Sequence, residues 1–123
     1  MAAVIQVSIP KNRIYIALEG YFQEDEARRA ADQVLQEMKK MRPGFDVVSD
    51  ISLFKPVSPE AAGHIVRVQR QMKELGMRRL VRVVGGNALA KMQMQRTGSQ
   101  AGVGDAGQAA TREEAERALD QAR

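Results

Sequence analysis

Residues 45–76 constrain this chain more than any other stretch, because they read as a buried strand, a loop and a one-faced helix in direct succession. The strand covers residues 46–51, where Val47 and Val48 follow Phe45 in the short β-branched run of a strand covered on both faces. Ser58 offers an N-cap and Pro59 a first helical residue, since proline lacks only an N–H that has no partner there. Ala61, Ile65, Val68, Met72 and Leu75 then recur at spacings of three and four, which makes one apolar stripe. Gly76 closes the helix.

Asp50 and Ser52 fall at the end of that strand, where open α/β sheets present groups to a ligand or partner. The loop after them carries Leu53, Phe54 and Val57, where polar residues would be the cheaper choice. Large apolar side chains there either plug the end of the core or form a contact surface. A helix N-terminus seated on a sheet needs such plugs, which favours the core reading.

Around this unit, residues 3–9 alternate apolar and polar, Pro10 and Asn12 signal a turn, and residues 13–20 alternate again, which predicts an antiparallel hairpin. Residues 24–41 read as the first helix, with Ala27, Ala31, Val34, Met38 and Met41 inward and Pro43-Gly44 as the stop. Residues 79–84 give another buried strand, in which Arg82 is expected to point outward near an edge or to snorkel. After Gly85-Gly86, Asn87 caps a shorter helix over residues 88–96. The glycine-rich residues 98–107 predict a short edge strand running to residue 110. Thr111 and Glu114 form a capping box, and the closing helix turns Ala115, Ala118, Leu119 and Ala122 inward. The order β-β-α-β-α-β-α-β-α predicts a single domain, residues 1–123, of α/β class: a mixed four- to five-stranded sheet with about four helices packed on it.

Composition narrows the chemistry. The chain contains no cysteine, which removes disulfides, thiolate nucleophiles and cysteine metal sites, and it fits a cytoplasmic protein. The first residues have no charged start and no long apolar run, so they do not read as a signal peptide, and no stretch reaches the length of a membrane span. Net charge is +4, unevenly spread. Residues 63–98 hold Arg67, Arg70, Lys73, Arg78, Arg79, Arg82, Lys91 and Arg96 against one acid, Glu74, which leaves the rest acidic on balance.

His64 is the only histidine, and a lone histidine without a nucleophile or second ligand is far more often a packing or surface residue than a catalyst. A triad from Asp50, Ser52 or Ser58 would need it as base, so none is assigned. Gly85-Gly86-Asn87 lacks the longer glycine fingerprint and a phosphate-binding lysine, and reads as a tight turn. No carboxylates take metal-ligand spacing with histidine, and neither a metal nor a cofactor is expected. Arg67, Arg70, Lys73, Arg78 and Arg79 are the candidate anion-binding set, without the stacking aromatics usual in nucleic-acid readers.

With these elements in order, the chain resembles the STAS family, the sulfate-transporter and anti-sigma-factor-antagonist domain, also called SpoIIAA-like. The likeness rests on the opening hairpin and helix, the strand ending Asp50-Ile51-Ser52, the run from Leu80 to Gly85, and the final helix from Thr111 to Leu119. It covers nearly the whole chain through short motifs. It implies a non-enzymatic regulatory or protein-interaction domain in bacterial signalling, whose partner is a kinase or another signalling protein. Phosphorylatable members carry Asp-Ser-Ser/Thr-Gly where the second helix begins. Here the stretch is Ser58-Pro59-Glu60-Ala61, with Glu60 at the phosphorylated position and Ser58 at the aspartate, so Ser58 is the one hydroxyl left there for phosphorylation. The expected partner surface comprises Asp50, Ser52, Phe54, Ser58, Glu60, His64 and Arg67. The alternative is a weak nucleic-acid or anionic-ligand binder that uses the basic set.

Overall fold

The computed structural model describes residues 1–104 and 106–121. β1 (Ala2–Ser8) and β2 (Arg13–Gly20) form the antiparallel hairpin. β3 (Asp46–Phe54), β4 (Arg79–Val83) and β5 (Gly107–Ala109) then add in turn, each parallel to the strand before it. The result is a five-stranded mixed sheet in the order β1-β2-β3-β4-β5, with α1 (Glu24–Met38), α2 (Pro59–Glu74), α3 (Ala88–Gln100) and α4 (Arg112–Gln121) as its helices. Each crossover from β2 onward steps to the next strand in the same direction. Right-handed crossovers of that kind must all lie on one face. Accordingly, α1 and α2 share a core with Ile14, Ile16, Val47 and Leu80, and α3 joins them through Ala90 and Met94 beside Ile51 and Phe54. Among the described residues α4 alone covers the opposite face, through Ala115 and Leu119 on Val48, Val81 and Val83.

Several boundaries differ from the sequence reading, and β3 runs past the expected end at Ile51 to Phe54, so Leu53 and Phe54 are strand rather than loop. α1 ends at Met38 rather than residue 41, because Pro43 bars the helical conformation from the residue before it and the chain tightens into a turn. α3 runs on to Gln100, straight through Gly98. The expected edge strand is only three residues long. Ala118 is exposed rather than inward, and Ala122 lies outside the described residues.

Arg82 corrects the expectation of an outward or snorkelling side chain. It is 3% exposed, on the face beneath α3, and its Nη2 donates to the Met94 carbonyl at 3.1 Å. Gly98 makes room for it, since a Cβ there would stand 3.0 Å from Nη2.

The amino end of the sheet is held by ions. Asp46 is buried, and it accepts from Arg78 Nη2 at 2.7 Å and Nε at 3.2 Å, and from Arg79 Nη2 at 3.4 Å. Arg13, fully buried on β2, lies 3.9 Å from the same carboxylate. On its other side Arg13 pairs with Glu116 and, at 2.9 Å, with Asp120 of α4. Tyr15 donates to Glu116 as well, at 2.7 Å.

Burial alone would raise the Glu116 carboxyl, but the hydrogen bonds from Tyr15 and Arg13 hold it below the ordinary carboxylate range. The Arg13 hydrogen bond depresses Asp120 too. Carboxylates held low in the fold stabilise it fully above their unfolded pKa, and that contribution is lost as pH falls through the depressed folded values. Wild type should therefore lose Tm steeply below about pH 4. A Glu116→Gln, Asp120→Asn variant should start less stable at pH 7 and show a flatter acid limb. Thermal melts across the acid range check this, and parallel limbs would contradict it.

Candidate functional site

At the carboxyl end of the sheet, β3 finishes in a tightly specified tip. Asp50 Oδ1 accepts from the Ser52 backbone N–H at 3.1 Å and from its hydroxyl at 2.7 Å, an i to i+2 arrangement that short acidic side chains favour at chain bends. Between Asp50 and Leu53, β3 carries one residue more than β2 does between Ala17 and Glu19, a bulge. A bulge reverses the alternation of side chains beyond it. This explains why Phe54 returns to the core while Leu53 does not.

The sequence favours Phe54 as a core plug while also placing it on the expected partner surface; its burial bears out the first and corrects the second. The ring is 2% exposed and packs at a tilt on Phe22, 6.1 Å between centroids. It is the plug, and its neighbour Leu53, 63% exposed, is the apolar residue that faces out.

α3 fixes the loop that follows. The Asn87 side chain caps its own helix by accepting from Ala90 N–H at 3.3 Å. Its amide nitrogen points back at β3, 2.7 Å from the Phe54 carbonyl and 3.1 and 3.2 Å from those of Ile51 and Ser52. Gln93, two turns along, grips Val57 from both sides: it donates to the carbonyl at 2.8 Å and accepts from the N–H at 2.9 Å. The glycine turn before α3 is equally constrained, because Gly85 takes φ +56° and a Cβ on it would meet Ser52 Cβ at 2.9 Å. The loop between β3 and α2 is thus a clamped ledge.

α3 and the end of β2 also carry exposed apolar side chains. Leu89 and Met92 on the outer side of α3 are 65% and 55% exposed, and Tyr21 after β2 is also exposed. Ser58 caps α2 by accepting from Ala61 N–H at 3.2 Å, and Glu60 is exposed in the first turn, a favourable place for an acid at the positive end of the helix dipole.

The remaining expected surface residues turn elsewhere. His64 Nε2 lies 3.1 Å from Glu24 of α1, and its Nδ1 lies 3.3 Å from Arg67 Nη2. Arg67 in turn pairs with Asp32 of α1 at 3.1 Å. Both residues tie α2 to α1. Asp50, Ser52, Ser58 and Glu60 therefore share the carboxyl end, while His64 and Arg67 lie along the α1–α2 seam.

The candidate anion-binding set is divided in the same way. Arg70 donates to the Gln100 carbonyl at 3.4 Å and Lys73 to that of Gly102 at 2.9 Å, so both serve the carbonyl end of α3, where cations are favourable. Arg78 and Arg79 belong to Asp46, and Arg79 also donates to the Leu119 carbonyl at 3.0 Å. Among the described residues no three of His, Cys, Asp and Glu gather closely enough to hold a metal ion, and no helix is long and apolar enough to cross a membrane.

The exposed pair on α3 was overlooked in the sequence. Its signal was there: Leu89 and Met92 sit three apart and off the buried set of Ala90, Met94 and Thr97. Compared with protein-family models and with curated proteins, the chain matches none.

Removing the Asn87 side chain deletes a helix cap and leaves β3 carbonyls without their donor. Asn87→Ala should cost about 2 kcal/mol, the sum expected for one cap and one buried hydrogen bond. Urea unfolding, with the midpoint shifted and the slope unchanged, is the measurement.

Proposed function

We propose that this chain is a non-enzymatic regulatory, protein-interaction domain of STAS type, and that it meets its partner with the carboxyl rim of the sheet. One observation carries the reading. Leu53 at the tip of β3 and Leu89 and Met92 on α3 are each more than half exposed, and Asn87 and Gln93 hold the loop between β3 and α2 in place. Exposed large apolar side chains beside a pre-formed loop favour a docking role for this end of the sheet. A flexible loop would have to be ordered on binding, and this one already is. Asp50, Ser52 and Glu60 supply the polar edge of such a surface. The Ser58 hydroxyl is the position where a signalling kinase would act, since a phosphate there would meet the N–H groups that begin α2. The basic set gives a nucleic-acid reading less support, because its cations already serve Asp32, Asp46 and the end of α3.

The test is capture of a partner from lysate at near-physiological salt, with nuclease present. Leu53→Lys should keep the wild-type Tm within about 2 °C, as a surface change does, and should lose the partner. Phe54→Ala serves as the contrast: it should lower stability by about 3 kcal/mol through a core cavity. Partner binding that survives Leu53→Lys together with Leu89→Lys would sink the proposal.

A further inference from the structure

The two edges of the sheet are built differently. β5 is three residues long, which leaves little to template another strand. β1 is seven residues long, contains no charged residue and no proline, and pairs with β2 in one register without a bulge. Among the described residues its backbone hydrogen-bonds only to β2. The outward N–H and C=O groups of such a strand are a template for another strand, which is why edges usually carry a lysine, a proline or a bulge. β1 carries none of these. Its side chains also have surface to cover: Val4 is 51% exposed, and Ile5 and Val7, on the face of α1, are only partly buried.

The charges that flank this neutral strand are segregated by sign. At the end where Ala2 pairs with Glu19, the sheet leads into the first turn of α1, with Glu24, Asp25 and Glu26. At the opposite end stand Lys11 of the hairpin turn, Arg42, whose backbone N–H is bonded to Asn12, and Lys39 and Lys40 just past α1. Local ion pairs join Asp25 to Arg29, Lys40 to Glu37, and Lys11 to Glu116 and Asp120. Glu19 and Glu26 still leave the first end acidic, and Lys39 and Arg42 the second basic.

We infer that β1 is a self-association edge, on which a second copy of this chain pairs its own β1 antiparallel across a twofold axis and joins the two sheets into one. The charge pattern selects this occupant. A twofold axis at the edge reverses the second copy, so the acidic end of each α1 and β1 lies toward the basic end of the other, a match that the chain supplies to itself. Pairing all of β1 sets the axis at Ile5. Ile5 then faces Ile5 of the second copy, Ala3 faces Val7, and Val4 faces Gln6, so no like charges stand opposite each other. The outward backbone groups gain partners, and the half-covered Ile5 and Val7 gain apolar neighbours.

The test is sedimentation velocity of the full chain over a wide concentration range, at low and at high salt. Wild type should show a monomer–dimer equilibrium that weakens as salt screens the exposed charges. Val4→Lys puts a lysine on the edge at an exposed position; it should hold the wild-type Tm within about 2 °C and weaken the dimer about tenfold or more. Because the chain has no cysteine, a single introduced thiol reports the axis. Under mild oxidation Ile5→Cys should form a cross-linked dimer faster than Ala3→Cys, whose counterpart is Val7. A monomer at every concentration would overturn the inference, as would a dimer that Val4→Lys leaves intact. Faster cross-linking through Ala3→Cys than through Ile5→Cys would overturn the assigned register.

Discussion

The buried carboxylate of Asp46 is the contact on which the rest of this structure depends. It stands at the first residue of the central strand, where three arginines arrive from β2 and from the start of β4. Parallel strands have no hairpins to set their register, so something else must align their ends. Here an ion cluster does so at one end, and Asn87 and Gln93 do so at the other. Between them lies an aliphatic core that has the right volume but little directional information. The alignment of β3 is therefore specified by polar contacts at both ends, and the tip of β3 is presented in one fixed position.

Most of the architecture could be read from the chain because it follows from periodicity and punctuation. The stripe from Ala61 to Met72, the Ser58-Pro59 start and the Thr111–Glu114 capping box each state a local rule that tertiary contacts then obeyed. The failures share a cause. Arg82, Phe54 and Ala118 were placed by rules about single residues, whereas their burial depends on what faces them. Gly98 makes the space for Arg82, and a bulge turns Phe54 inward. Neither event leaves a periodic trace.

The candidate site was legible only in outline. Asp50 and Ser52 could be placed at the carboxyl end of the sheet because strand ends in α/β folds are where such groups gather. The helix cations looked like one surface because they are spaced three apart. Arg67 instead reaches back to Asp32, while the partners of Arg70 and Lys73 lie about thirty residues further on, at Gln100 and Gly102. Sequence spacing reports which residues share a face, and says nothing of the carbonyls waiting opposite it.

The strand order has a consequence for how the molecule comes together. Every strand pairs with its neighbour in the chain, so the sheet can grow from β1 to β5 as the polypeptide leaves a ribosome, with no strand waiting for a later one. The exception is the last helix. Until α4 arrives, Arg13 lacks Glu116 and Asp120, and the far face of the sheet stays bare. Docking of α4 is thus the step that covers the far face and neutralises a charge laid down on the second strand, long before the helix itself.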